Sequence, residues 1–581
     1  MRWRQCAERS PPRLRRNNLS IMTEMDLVIF EQNKPFVLEA LGNGDFDYIE
    51  AASEVFETDF FRFIKARKIL DKLAKTYPTP RKKEDVPLWF YISSNLSMRL
   101  HGVHSFNAFP LVVRSGGMLN AFGAKAGRKV IHPDNGDVTI ACEGFNEKNY
   151  YDRETPCDQD FLRKVSKDTD ADALMRWFST DVVRTFRSSR AFDKEGIFIG
   201  DASYLFVPDN PNYEGSVKLL FDEHNHPVSS KQYEKMPDEQ KVHCQWRRCY
   251  KMVTLLHTNR NQDFYFFVAV KVLPGNDHEC PVLYELVKEF VKTVGNGVMK
   301  RLILDRGFLD GEAISICKKK YGIDILIPIR RNMDIYEDAM ALFRLPEVDW
   351  VRCKEPEGEV KEPIRPKPEA IVNREKKRQE KLRKIKQEKQ ATPPEEILAY
   401  REAAVIDQFR SWSSCTVPLS VVANKEIYAD GHEKIWLLID TKDVKDPREE
   451  RQEYHLRIAT EERYRQVKCF SDLTKFTSRA FSMVVNQVVF TMLAYNLLQL
   501  HLLRQGRKEL NQKTLPYIRQ QLLPSDNHII VYYQNYYGMF RPFELIQFVV
   551  ELTEEPRKKI AQKCRRIGRE LNTLMNNPRA P

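Results

Sequence analysis

The chain has 581 residues, 42% of them hydrophobic and 11% aromatic, which excludes both a disordered polymer and a single small domain. Lys and Arg number 93 and Asp and Glu 81, a formal charge of +12, and this balance favours a polyanionic partner, nucleic acid before a membrane surface. Eleven cysteines without a single CxxC pair exclude a disulfide framework and point to a reducing compartment.

The opening "MRWRQCAERSPPRLRRNNLS" is basic and has no apolar h-region, so it reads as a basic arm over 1–21, or as a misassigned start with Met22 or Met25 as the true beginning. From 22 to about 190 the apolar spacing of three and four residues predicts a mainly helical region. Within it "SNLSMRLHGVHSFNAF" (94–109) suits a joint between helices as well as a nucleic-acid contact. Short apolar runs rich in β-branched and aromatic residues at 196–207, 216–223, 250–258 and 264–272 predict strands. An amphipathic helix over 282–295 ends at Gly295, followed by a strand at "RLILD", a helix near 311–320 and a strand at "IDILIPI". This order predicts an α/β fold, one mixed sheet flanked by helices.

Residues 331–450 read as an insertion. A charged, proline-rich stretch leads into a solvated helix or arm over 374–390, and "CTVPLSVVANKEIY" and "KIWLLIDTK" read as strands. The run 481–503 is long enough to cross a membrane, but Asn486, Gln487, Asn496, Gln499 and His501 recur in it, which predicts a buried core helix. The tail from 506 to 581 is basic. His243, Cys244, Cys249, His278 and Cys280 form the closest set of soft ligands, yet their spacing fits no standard zinc site, and scattered thiols are the better reading.

Two aspartates stand out. Asp201 follows the apolar "IFIG" and Asp305 follows "LIL". A carboxylate at the end of a buried strand is held rigidly and faces solvent, which suits chemistry. Turns also favour Asp after strands. If the two strands are neighbours, the carboxylates converge, and convergent hard oxygens call for Mg²⁺ or Mn²⁺. A third acid is then needed. In "YHLRIATEERYRQVK" (454–468), taken as one helix at roughly 100° per residue, Tyr454, Arg457, Glu461 and Lys468 share an arc of about 60°. Tyr464 and Arg465 flank that arc, while Glu462 lies about 100° round and reads as a salt-bridge partner. The same pattern also fits an ordinary salt-bridged surface helix.

Tyr454, Arg457, Glu461 and Lys468 resemble, in order and spacing, the Tyr-Arg-Glu-Lys signature of DDE transposases of the insertion-sequence-four superfamily. "LILDRGF" looks like the second-Asp motif at Asp305, Gly307 and Phe308, and "IFIGDASYL" resembles the first-Asp strand. "GDAS" departs from the commoner wording there, with Asp209 as the rival in a turn.

The resemblance covers about 190–500. It implies a ribonuclease H-like mixed sheet flanked by helices over 191–330, an inserted, mostly β subdomain over 331–450, and catalytic and core helices over 451–505 closing the domain. It implies that Asp201, Asp305 and Glu461 hold two Mg²⁺ ions, with Mn²⁺ as substitute, for in-line displacement at phosphorus. Arg457, Lys468, Arg465 and Tyr454 would then contact DNA. Trp412 and Trp436 lie in the insertion, where related enzymes stack a flipped base. The implied partner is double-stranded DNA, the terminal inverted repeats and a target, bound by a homodimer through residues 22–190, without a membrane, in the cytoplasm with the nucleoid. A metal-dependent endonuclease of the same fold, or a non-catalytic DNA-binding descendant of a transposase, are the alternatives, and the intact triad argues against the second.

Overall fold

The computed structural model describes residues 31–51, 55–83, 86–109, 128–131, 138–141, 145, 157–353, 398–471, 473–522, 529–534, 536–540 and 542–576. The β-branched and aromatic runs, with two further segments, become the ten strands of one sheet. These are β1 (Ile197–Val207), β2 (Val217–Phe221), β3 (Gln245–Thr258), β4 (Phe266–Pro274) and β5 (Arg301–Ile303). They continue with β6 (Asp324–Pro328), β7 (Val351–Arg352), β8 (Leu398–Phe409), β9 (Leu419–Tyr428) and β10 (Glu433–Asp440). The lateral order is β7-β8-β9-β10-β6-β5-β1-β3-β2, with β4 also on β3. At its centre β4, β3 and β1 are antiparallel, while β1, β5 and β6 are parallel. Three antiparallel strands continued by two parallel ones, flanked by helices, make a ribonuclease H-like sheet.

Five helices position the site: α1 (Leu88–Leu100), α2 (Glu279–Val294), α3 (Pro447–His455), α4 (Ile458–Arg465) and α5 (Phe481–Arg504). The amphipathic α2 buries Leu283, Val287, Phe290 and Val294 against the sheet and stops at Gly295, whose φ of +85° no β-carbon residue adopts readily. α5 is buried through most of its length: 83% of its most apolar window lies inside the protein. Its amides explain why an apolar helix carries polar residues. Asn496 accepts from Phe267 N–H at 2.8 Å and donates to Phe267 C=O at 2.7 Å, and Gln499 accepts from Tyr265 N–H at 3.2 Å. They close backbone groups at the edge of β4 that a bare apolar face would orphan. Asn486 donates to Tyr91 of α1, and Gln487 to the carbonyls of Leu473 and Lys475.

The strands of 398–440 extend the large sheet itself. β10 runs antiparallel to β6, pairing Leu326 with Asp440, and β9 and β8 follow outward. β8 is a strand that periodicity did not reveal, because "LAYREAAVIDQF" mixes charges into both faces. The charged segment 374–390 lies outside the described residues, as does the arm 1–21 with Met22 and Met25.

The region 22–190 is not purely helical. Glu31–Gln32 and Tyr48–Ala51 join Ile529–Tyr533 and Tyr536–Phe540 in a separate four-stranded sheet, around Val37, Leu41, Phe46, Val531 and Phe540. Arg128–Ile131 and Val138–Ala141 form a two-stranded ladder. The helices from 55 to 188 share one apolar core with the large sheet and α5: Tyr91 and Trp177 both pack on Phe490. The stretch 94–109 is a joint: Ser94 to Leu100 are buried, and His104 Nε2 lies 2.7 Å from the carbonyl oxygen of Ser471.

Candidate active site

Parallel register brings the two aspartates together. Ile199 pairs with Ile303, and each is followed two positions later by an acid, Asp201 and Asp305. Asp201 does not end its strand, as its position after "IFIG" suggested; β1 runs on to Val207 beside β3. It sits just beyond the residues paired with β5, where the sheet opens. Asp305 caps a short 3₁₀ turn, its Oδ1 accepting from Arg306 N–H at 2.8 Å. Gly200 makes the close packing possible. A β-carbon there would meet Leu283 of α2 at 2.8 Å and Leu304 at 2.6 Å. Alternation then sends Asp201 to the opposite face.

The segment 454–468 is not one continuous helix. α3 ends at His455, a tight turn of i→i+3 bonds spans the joint (Arg457 N–H to Tyr454 C=O, Thr460 N–H to Arg457 C=O), and α4 begins at Ile458. A π-helical turn, Gln466–Phe470, then follows α4. A uniform 100° wheel therefore does not describe it. The signature residues nevertheless gather, because the breaks redirect them. Arg457 is the centre: one terminal nitrogen lies 3.6 Å from Asp201 and 3.3 Å from Asp305, the other 3.5 Å from Glu461. Exposure grades outward across the three acids, with side chains 10%, 37% and 65% accessible at Asp201, Asp305 and Glu461.

Burial pushes the Asp201 carboxyl up to about 6; Arg457 opposes the rise, and the nearby Asp305 and Glu461 add to it. Lys468, on the π turn, donates to Ser203 Oγ at 2.6 Å and Tyr204 C=O at 2.8 Å, on the same strand as Asp201. Burial lowers its ammonium to about 8, against the pull of Asp201. Tyr454 packs on Trp436, ring centroids 5.9 Å apart, and burial raises its phenol to about 12. Trp436 also faces Arg451, and Trp412 packs against the core. Arg465 is turned elsewhere: it forks onto Glu462 at 2.7 and 2.9 Å, the partnership expected of Glu462. Tyr464 is buried, with its hydroxyl 2.7 Å from Thr254 Oγ1, directly across the ladder from Asp201. Asp209 is exposed and paired with Lys218 and Arg248.

A second constellation escaped sequence reasoning. Arg301, at the start of β5, donates two parallel bonds of 2.6 Å to Asp440 of β10, and also bonds Glu450 and Glu453 of α3. All four side chains are nearly inaccessible. This network fastens α3, and with it Tyr454, to the sheet. Its only trace in the sequence is a cation opening an apolar strand.

Three carboxylates are a hard-oxygen donor set suited to Mg²⁺ or Mn²⁺. Among the described residues, no three His, Cys, Asp or Glu side chains yet stand in metal-holding positions, and the point on which the triad converges is taken by the guanidinium of Arg457. The thiols near His243 and His278 form no such group either; burial raises those of Cys249 and Cys280, and the His278 ring caps α2.

A large mixed sheet flanked by helices is consistent with a ribonuclease H-like transposase domain. The family described as transposase DDE domain matches residues 213–497, and the match supports a DDE transposase. The matched stretch includes Asp305 and all of 454–468 and begins after Asp201. No curated protein matches the chain.

Proposed function

We propose that the protein is a DNA transposase of the insertion-sequence-four type, which cuts its own element's ends and joins them to a target. The observation that carries this reading is the convergence of Asp201, Asp305 and Glu461 on one cation, Arg457, on a sheet whose family match is a transposase domain. Asp201, Asp305 and Glu461 would hold two Mg²⁺ ions. Bound there, the ions supply charge neutralisation and nucleophile activation at the scissile phosphate.

The chain's own groups do the rest. Arg457 presents a fork suited to phosphate oxygens. Lys468, anchored on Ser203 and Tyr204, places a compact cation beside Asp201. Tyr454 offers a phenol at the rim. Arg465, engaged with Glu462 and 59% accessible, would meet the DNA backbone farther out. Residues 22–190 would recognise the terminal repeats, 331–450 would serve as the insertion subdomain, and a homodimer would pair two ends, in the cytoplasm.

The test is Glu461→Gln. Mg²⁺-dependent cleavage of a duplex copying the DNA that borders the reading frame should vanish, while binding of that duplex persists. Cleavage that survives the change would overturn the assigned triad.

A further inference from the structure

Arg457 sits among the three carboxylates proposed as metal ligands. Its guanidinium is within 3.6 Å of a carboxylate from β1, one from the β5 end and one from α4. The arginine is itself largely enclosed, 18% accessible, and its Nε is buried without a hydrogen-bond partner. Lys468, the other signature cation, is committed to Ser203 and Tyr204 and forms no ion pair with the triad among the described residues. Among the described residues, one side chain therefore makes the ion pairs to all three acids.

The guanidinium fills the gap between the three carboxylates and makes the contacts to them that a metal ion would take over. An ion entering the triad must displace the guanidinium. Arg457 would then be a half-buried charge that has lost its partners, and it needs an anion within reach. A phosphodiester oxygen pair is the anion that a guanidinium fork matches best.

We propose that Arg457 is a tethered counter-ion that keeps the triad closed to metal until a DNA phosphate draws it away. This inference rests on the reading of the triad as a metal centre. DNA and metal are then linked: each raises the affinity of the other by the same factor. Without DNA the ion competes against a cation that cannot diffuse away, so the free protein is protected from idle metal loading. A nucleophile is therefore not activated before a strand is in place.

The test counts bound Mn²⁺ by electron paramagnetic resonance of the free ion, with the full-length protein and no DNA. Wild type should bind Mn²⁺ weakly, and Arg457→Gln about 10-fold more tightly, within the range of ordinary coupling energies. Lys468→Gln, which removes an equal charge held on Ser203 and Tyr204 outside the three ion pairs, should raise affinity clearly less than Arg457→Gln does. Adding the duplex that borders the reading frame should tighten Mn²⁺ binding in wild type and leave Arg457→Gln unchanged. Thermal melts show whether each variant is folded, and Arg457→Lys, which keeps the charge without the fork, should fall between the two.

Equal Mn²⁺ affinity in wild type and Arg457→Gln, lost in Glu461→Gln, would overturn the counter-ion role and leave the metal centre standing. So would an equal gain in Lys468→Gln, which would mean that bulk charge alone acts. No Mn²⁺ binding in any form, with or without DNA, would overturn the metal centre and this inference with it.

Discussion

The side-chain amide of Asn496 completes the backbone of Phe267, accepting from its N–H at 2.8 Å and donating to its C=O at 2.7 Å. The two residues are 229 positions apart. This pair attaches the core helix to the edge of β4 at a register shift in the β3–β4 ladder. Asn496→Leu should leave both backbone groups buried and unpaired, at about 1–3 kcal/mol each. Asn496→Asp should fare little better, because a carboxylate cannot donate to the carbonyl. Urea melts of the two variants check this, and an Asn496→Leu protein as stable as wild type would refute it.

Asp201 carries a stability cost that its position imposes. Its folded carboxyl titrates near 6, against an ordinary value of 3.8. Between those values the folded chain keeps a proton that the unfolded chain has released, so stability falls as pH rises through the window and stays reduced above it. Asp201→Asn should therefore stabilise the protein near neutrality by on the order of 1–3 kcal/mol. At a pH of about 4 it should change nothing. Melting temperatures at the two pH values decide the matter, and a loss of stability near neutrality would contradict the account.

Arg301 answers three buried acids at once. Burial and the adjacent Asp440 raise the Glu450 carboxyl even with Arg301 present. Arg301→Met would strand those charges, at about 3–5 kcal/mol, the usual cost of breaking a buried ion pair from one side. Arg301→Lys keeps the charge but loses the parallel pair to Asp440, and should lie between. Since α3 hangs on this network, Arg301→Lys should also weaken DNA cleavage while the global fold persists. Denaturant midpoints and cleavage rates, taken together, test both halves.

Lys468 should add affinity without sequence preference. Lys468→Met is expected to weaken DNA binding alike for all sequences and lower the slope of log affinity against log salt by about one. Burial holds its ammonium near 8 in the free protein, so it is charged at neutrality and discharges as pH rises past that value. Wild-type DNA affinity should fall across that range and the variant's should not. Fluorescence anisotropy across salt and pH reads both effects, and an unchanged salt slope would remove Lys468 from the DNA contact.

The sequence by itself determined eight of the ten strands of the large sheet, the amphipathic α2 with its glycine stop, the buried nature of α5 and the chain order of Asp201, Asp305 and Glu461. Those features rest on local periodicity, strand propensity and fixed spacing, which are properties of a few neighbouring residues. Only the tertiary structure decided the rest. The breaks at His455 and Gln466 replace a uniform helix because Arg301 pulls α3 onto the sheet while Tyr464 and Lys468 bond back to β3 and β1. The sheet joining residues near 31–51 to those near 529–540 pairs segments almost a whole chain apart. Arg457 belongs among three carboxylates rather than on a solvated face because parallel register sets Asp201 beside Asp305. Each of these depends on ion pairs, amide bonds and ladders between distant residues, and no local pattern records which distant partner a charged side chain will find.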